Sequence, residues 1–288
     1  MDQSNRHLPR IIAIEGLDGT GKESVSKKLM ELLYNKGFEA KVISFPRYDT
    51  HVGQVIDEYQ KGYFSDPTTT DPFIAGALYT FDRREYFKRL STESGFIYSH
   101  GVEIQDLNWF RRLDFLIMDR SYFSNYLYQG PKFNVEVTGN YSRLLDWMRI
   151  NYYAEIEANT VLKESLFKVY FLEVSEEHRQ EQIKNRKELD LNESNLNYQK
   201  ALREFFYFSR SYDFWKGLRS TDYPWVSYDL LQNLEEFYYR KVMRIESVFT
   251  QDRAKIPEAV SATGTKILND LLKNVESSDV TNPNLEVD

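Results

Sequence analysis

An α/β fold, a three-layer sandwich with helices on both faces of a central parallel sheet, is predicted by three features of this sequence. Short apolar runs at 11–14, 40–45, 115–118 and 169–173 have the length and composition of strands, and the first and third read as buried on both faces. Segments with helical spacing separate them, and strands alternating with helices make a parallel sheet between helical layers. The first strand runs directly into a glycine-rich turn and a helix, residues 11–24 reading Ile-Ile-Ala-Ile-Glu-Gly-Leu-Asp-Gly-Thr-Gly-Lys-Glu-Ser.

The elements follow in order. The first helix opens at Lys22, carries Val25, Leu29, Leu32 and Leu33 on one stripe, and stops at Gly37. The second strand ends in Phe45-Pro46-Arg47-Tyr48, and residues 51–63 have helical spacing through Val52, Val55, Ile56 and Tyr59. A polar, proline-bearing loop leads to a helix N-capped by Asp71 and running to about residue 90. Residues 92–103 are polar and glycine-punctuated, an excursion between elements. A short helix then leads into the strand at 115–118, which ends in Asp119-Arg120. Helices are expected over 122–129 and 141–156, a strand over 169–173, a charged helix over 175–187, and a long aromatic-rich helix over 196–215. A last strand is expected at 225–227, then helices over 230–249 and 257–273. In domain terms, residues 1–250 form one domain with a lid at about 179–195. Residues 251–275 add a helical extension, and 276–288 form a polar tail expected to be disordered. No internal repeat is evident.

Bulk properties narrow the function. The chain has 288 residues, 41% hydrophobic, with 21 Tyr and 19 Phe for bulky packing or base stacking. A net charge of −7 argues against a nucleic-acid coat or an anionic-membrane binder. Local clusters of Arg and Lys on this acidic body suggest anion sites. The absence of cysteine excludes disulfides, thiolate zinc sites and cysteine nucleophiles. No apolar leader and no run approaching a membrane span is visible, so the expected address is the cytosol.

The glycine turn carries the chemistry. Gly16, Gly19 and Gly21 let backbone N–H groups converge on phosphate oxygens, the helix N-terminus adds positive dipole, and Lys22 reaches the outer phosphates. The spacing Gly16-x4-Gly21-Lys22 fits a P-loop; Glu23 takes the place of the Ser or Thr that holds Mg²⁺, and Ser24 comes one place late. Ligands of open α/β sheets sit at the carboxyl ends of strands. That rule selects 16–22, 45–48 and 119–120, where Arg47 and Arg120 offer guanidinium forks to phosphate. Asp82-Arg83 lies on a helix, where charged pairs ordinarily face solvent. Ser124, Asn125 and Tyr128 stand at helical spacing, able either to serve a base or to cap and pack the turn. The charged run 179–190 reads as a solvated helix face or as a mobile lid that brings cations onto phosphates.

Together these segments resemble the thymidylate kinases, a family of P-loop nucleoside monophosphate kinases. Residues 14–22 are similar to the family P-loop, including its internal aspartate, and Phe45-Pro46-Arg47-Tyr48 to its FPRY form. Residues 78–83 resemble L-F-x-x-D-R, and 119–129 resemble D-R-Y-x-x-S-N-x-x-Y-x. A weaker match sets 186–193 beside the lid R-G-E-L-D-R-x-E. The likeness covers about 9–215 and extends to the 225–249 strand and helix. It implies a P-loop NTPase sandwich with a helical lid, ATP as co-substrate, Mg²⁺, small nucleotides as partners and a homodimer. ATP would lie on Gly16, Gly19, Thr20, Gly21, Lys22, Glu23 and Ser24. Asp18 would bind the 3′-hydroxyl of the acceptor, and Arg47 and Arg120 its 5′-phosphate, with Phe45 and Tyr48 flanking. Tyr79, where the family usually has Phe, would stack on the pyrimidine. Arg83 would bond its exocyclic oxygen, Asn125, beside Ser124, would reach the N3 edge, and Tyr128 would disfavour ribose. Asp119 would sit near Mg²⁺, with Glu23 a second ligand, and Arg186 would be the lid cation. Catalysis would rest on Lys22, Asp119, Arg120 and Arg186.

Three departures bear on this expectation: Glu23, Leu191 in place of the second lid arginine, and Ser121 in place of an aromatic or His. The expected reaction is phosphorylation of a deoxynucleoside monophosphate, dTMP to dTDP. Asp-Arg-Ser is also the form of deoxynucleoside kinases, so a nucleoside acceptor is the alternative. Glu23 and Leu191 motivate a second one, a catalytically silent nucleotide-binding or dimer-forming protein.

Overall fold

The computed structural model describes residues 8–90, 110, 112–157, 166–184, 189–220, 228–236, 238, 242–246 and 255–279. Five parallel strands form one sheet: β1 (Arg10–Gly16), β2 (Ala40–Ser44), β3 (Phe115–Asp119), β4 (Leu166–Glu173) and β5 (Val242–Glu246). Their order is β2-β3-β1-β4-β5.

Alternation along the strands divides the core into two halves. Ile11 and Ala13 of β1, Leu116 and Met118 of β3, and Val169 and Phe171 of β4 face one helical layer. Ile12, Ile14, Phe115, Ile117, Tyr170 and Leu172 face the other. This is why the strands read as unbroken apolar runs: both faces are dry. The second layer contains α1 (Lys22–Tyr34), which buries Val25, Leu29 and Leu33. It also contains α12 (Ile256–Asp279), which brings Ile267, Leu268, Leu271 and Val275 against them.

The first layer is larger. It holds α3 (Pro72–Leu90), α4 (Tyr122–Gln129), a short 3₁₀ turn with α5 (Val135–Thr138), and α6 (Ser142–Tyr152) closed by a π turn at Tyr153–Glu157. After β4 come α7 (Glu176–Lys184), α8 (Leu191–Ser194), α9 (Leu196–Phe208), α10 (Tyr212–Ser220) and α11 (Tyr228–Glu235). Aromatic stacking locks this side: Phe171 of β4 lies 3.8 Å from Phe206 of α9, centroid to centroid and nearly parallel. The remaining helix, α2 (His51–Gln60), follows β2 and is capped by Thr50, whose hydroxyl accepts from the Gly53 amide at 3.1 Å.

The chain departs from the expected elements in three places. The helix expected over 196–215 breaks at Ser209–Ser211, because the Ser211 hydroxyl accepts from the Phe214 amide and so starts α10. The helix expected over 230–249 is α-helical only over Tyr228–Glu235, turns π-helical at Glu236 and Tyr238, and Val242–Glu246 is instead the fifth strand, paired to β4 from Val169 to Glu173. The strand expected at 225–227 lies outside the described residues, as do the excursion at 92–103 and the tail from 280. The last helix runs to Asp279 rather than stopping at 273, which removes 276–279 from the polar tail.

Candidate active site

Strand register sets the floor of the site. Ile14 of β1 pairs with Asp119 of β3, and Ser44 of β2 pairs with the same Asp119, so three carboxyl ends open at one level. A cavity of about 720 Å³ stands there. The glycine turn supplies Asp18, Gly19, Gly21, Lys22, Glu23 and Ser24 to its wall. The exit of β2 supplies Ser44, Phe45, Pro46 and Tyr48; α2 and α3 supply Gln60, Tyr79 and Arg83. The β3–α4 segment adds Asp119, Arg120, Ser124, Asn125, Tyr128 and Gln129, α7 adds Gln182, and α8 with the residue before it adds Asp190, Asn192 and Glu193.

The turn itself depends on two glycines. Gly16 has φ 151°, and a Cβ there would lie 2.6 Å from the Thr20 hydroxyl and 2.8 Å from the Leu172 carbonyl. A Cβ on Gly19 would lie 2.7 Å from the carbonyl of Arg179, so α7 packs directly onto the turn. Thr20 is buried inside the turn, its hydroxyl donating to the Leu17 carbonyl at 2.9 Å, and it does not line the cavity. Lys22, also buried, donates from Nζ to the same carbonyl at 2.9 Å. Burial, with repulsion from Arg120, pushes its ammonium down to about 8 against the pull of Asp18, Asp119 and Glu15.

Asp18 is the hub. Arg120 Nη2 donates to its Oδ1 at 2.5 Å, Tyr128 donates to its Oδ2 at 2.5 Å, and Gln199 Nε2 stands 3.4 Å from Oδ2. Burial alone would raise this carboxyl, but Arg120, Lys22 and Tyr128 outweigh it and hold it well below the usual carboxylate range. Arg120 has φ 68°, in the left-handed region, its amide donating to the Ile14 carbonyl while its guanidinium lies 5.6 Å over the Tyr128 ring.

Asp119 stands nearby, with Oδ1 buried and without a hydrogen-bond partner and Oδ2 3.4 Å from the Ser44 hydroxyl. Burial raises its pKa, opposed by Lys22 and Arg120 and reinforced by Glu23. Glu23 is exposed and paired with Lys27 at 2.5 Å. Among the described residues no group of three or more His, Cys, Asp or Glu could hold a metal. Mg²⁺ takes one or two carboxylates and completes its shell with water and phosphate. The orphaned Asp119 oxygen, with Glu23 beside it, fits that ion.

At the far end, Arg83 and Glu155 form a buried ion pair, Nε and Nη2 donating to the carboxylate at 2.5–3.1 Å. Asn125 Nδ2 donates to the Gly76 carbonyl at 3.0 Å and to Thr80 at 3.2 Å, which leaves its buried Oδ1 unpartnered. Tyr79 stands on the same wall, its hydroxyl accepting from Gln60 at 3.1 Å.

The structure does not bring Arg47 to this cavity. Its guanidinium turns to α3, bonding Asp82 at 2.9 Å and Glu85 at 3.0 Å, and its side chain is 9% exposed. Two carboxylates on one helix face outcompete water for the fork. Gly16 and Thr20 likewise shape the turn without lining the cavity, and Arg186 lies outside the described residues.

Sequence reasoning missed Glu15. Fully buried on β1, its carboxylate accepts from the amide and hydroxyl of Ser121 at 2.6 Å each and from the Ser124 hydroxyl at 2.6 Å. Burial raises its pKa, opposed by those serine bonds. Ser121 is therefore the donor Glu15 needs and the N-cap of α4, taking the Phe123 amide at 3.2 Å. Gln199 was missed too: it joins Arg179 of α7, the Asn192 carbonyl of α8 and Asp18.

A glycine turn with a buried lysine, at the carboxyl end of the central strand of a five-stranded parallel sheet, defines a P-loop nucleotide-binding protein. The family profile for thymidylate kinase matches residues 14–213, and the chain belongs to the thymidylate kinase family. It is 44% identical to the thymidylate kinase of Plasmodium falciparum over 52 residues, 18% of this chain and 25% of that one. It is 25% identical to the human thymidylate kinase over 139 residues, 48% of this chain and 52% of that one. The match to the thymidylate kinase of Blochmanniella floridana is 23% over 198 residues, 68% of this chain and 80% of that one. At the higher identities the chain spans about a quarter of the length of the curated relatives it matches. Among the described residues no helix is long and apolar enough to cross a membrane.

Proposed function

We propose that this protein phosphorylates dTMP to dTDP, with ATP as donor, by direct in-line transfer. Asn125 is the observation that carries the choice of acceptor. Its Oδ1 is an unmet acceptor on a cavity wall that Arg83, bound through Nε and Nη2 to Glu155, also lines. An acceptor there complements the N3–H of a thymine or uracil edge and opposes cytosine, whose N3 accepts. The family membership and the names of the relatives support the same reading.

The monophosphate is largely dianionic at neutral pH, its second pKa being about 6. A strong general base is then unnecessary, and alignment with charge neutralisation carries the reaction. Lys22 at the head of α1 holds the outer phosphates of ATP, and Arg120 at the end of β3 holds the acceptor phosphate. Asp18, now engaged with Arg120 and Tyr128, is placed to take the 3′-hydroxyl, while Tyr79 gives the base a stacking face. Mg²⁺ bound by Asp119 and Glu23 would neutralise charge on the transferring group. The lid cation is assigned to Arg186, and Arg47 acts through Asp82, bracing the helix that carries Arg83. Cytosol, where both nucleotides are found, is the assigned place of work. A homodimer is assigned on the exposed apolar residues Ile74 and Phe81, two turns apart on one face of α3.

A nucleoside acceptor is the weaker reading. Its strongest sequence argument was Ser121, and the bonds to Glu15 explain that serine without any nucleoside. Coupled ADP release with dTMP, dUMP, dGMP and thymidine is the test. Turnover is expected with dTMP and, more slowly, with dUMP; turnover with thymidine alone, or with none, refutes the proposal.

A further inference from the structure

Tyr79 brings a hydroxyl into the wall where the base is assigned to stack, and a hydroxyl removed from water needs a partner. Gln60, the last residue of α2, provides it. Its Nε2 donates to the Tyr79 oxygen at 3.1 Å, and its Oε1 accepts from the Tyr48 hydroxyl at 2.8 Å. One amide thus links the turn after β2 to α3, and all three side chains line the cavity. The Tyr59 ring meets the Tyr79 ring edge-on, 6.4 Å between centroids at 74°, so the phenol is held both at its rim and at its tip. Burial pushes the pKa of Tyr79 up, which keeps the hydroxyl protonated across the working range.

We propose that Gln60 is a positioning residue for the acceptor base: by holding the Tyr79 hydroxyl against Tyr48 it fixes the plane of the ring on which the pyrimidine stacks. The inference rests on the proposed function, which makes Tyr79 the stacking face. A ring pinned only by Tyr59 keeps rotational freedom about its own Cα–Cβ bond, and each rotamer but one removes the flat face from the base. The amide costs nothing extra at the moment of binding, because both of its bonds exist before the nucleotide arrives.

Gln60→Leu preserves volume and removes both bonds. It is expected to raise the KM for dTMP about tenfold, the worth of roughly one hydrogen bond to a buried hydroxyl, with the KM for ATP within about twofold of wild type. Tyr79→Phe, which removes the tethered hydroxyl, is expected to raise the dTMP KM by a similar factor, and Gln60→Leu combined with Tyr79→Phe to raise it no further than either change alone. A merely structural role would lower the melting temperature and shift both KM values together, and the two effects would add in the double variant. Equal shifts in the two KM values, an unchanged dTMP KM, or additive effects in the double variant overturns the inference while leaving the proposed function standing. A wild-type protein inert toward every monophosphate refutes the proposed function, and this inference with it.

Discussion

Lys22 performs its task from an unfavourable place. It is buried, and burial leads the causes that push its ammonium down to about 8, within reach of ordinary buffers. A lysine lowered in the fold loses its charge as pH rises through that value, so the phosphate site weakens on the alkaline side. The KM for ATP should be flat from pH 6.5 to 7.5 and climb by up to about tenfold by pH 9, following the unprotonated fraction. Stability has the opposite sign. The unfolded lysine holds its proton to about 10.4, so between pH 8 and that value the unfolded state binds more protons and this group's contribution rises with pH. A dTMP KM that climbs in step with the ATP KM would place the titration elsewhere.

Much of the residue-level site was legible. Asp119-Arg120 stood out because two charges end an apolar strand, and the glycine turn because of its spacing. Arg47 misled for the same reason, since the strand-end rule cannot see Asp82 and Glu85 arriving from α3. Glu15 was invisible because its partners, Ser121 and Ser124, are more than a hundred positions away.

Elements were legible where one period dominated. The strands at 11–14 and 115–118 and the helix at 122–129 have clear patterns, and the observed bounds fall within a few residues. β5 failed because Val-Met-Arg-Ile-Glu is short and follows a helical pattern, so only pairing with β4 reveals it. The charged helix at 175–187 was legible as a helix, whereas its packing on Gly19 was not. Leu191, which takes the place of a lid arginine in the resemblance, lies against Gly62: a Cβ on that glycine would meet the leucine Cδ1 at 2.5 Å. An apolar contact therefore connects α8 to the residues just past α2.

The last helix shows how an element far along the chain supports the first. Leu271 of α12 is fully buried in the cluster with Leu29 and Leu33 of α1. Leu271→Ala should destabilise the protein by about 3 kcal/mol through lost burial and a residual cavity. Chemical denaturation measures this directly, and a loss below about 1 kcal/mol would show that α12 is only loosely attached.

On the scale of the whole molecule, a negative body holds a cavity for negative ligands. The net charge is −7, so long-range attraction does not bring nucleotides in, and capture depends on cations set close to the phosphates. The outer face of α3 carries two exposed large apolar residues: Ile74 is 63% exposed and Phe81 60%. If a second copy covers it, Phe81→Glu should convert a dimer to a monomer in light scattering at micromolar concentration. An unchanged mass, or a wild type already monomeric, rejects that assignment.

Arg120 shows what such a site demands of its chain. A side-chain-bearing residue in the left-handed region costs about 1–2 kcal/mol that glycine or asparagine would not incur. A laboratory lineage chosen only for survival at high temperature would gain backbone freedom from glycine here and lose the guanidinium that compensates the buried Asp18 carboxylate, a penalty of about 3–5 kcal/mol that outweighs the gain. Resistance to heat and the proposed grip on phosphate therefore both hold arginine at position 120, against the preference of its backbone.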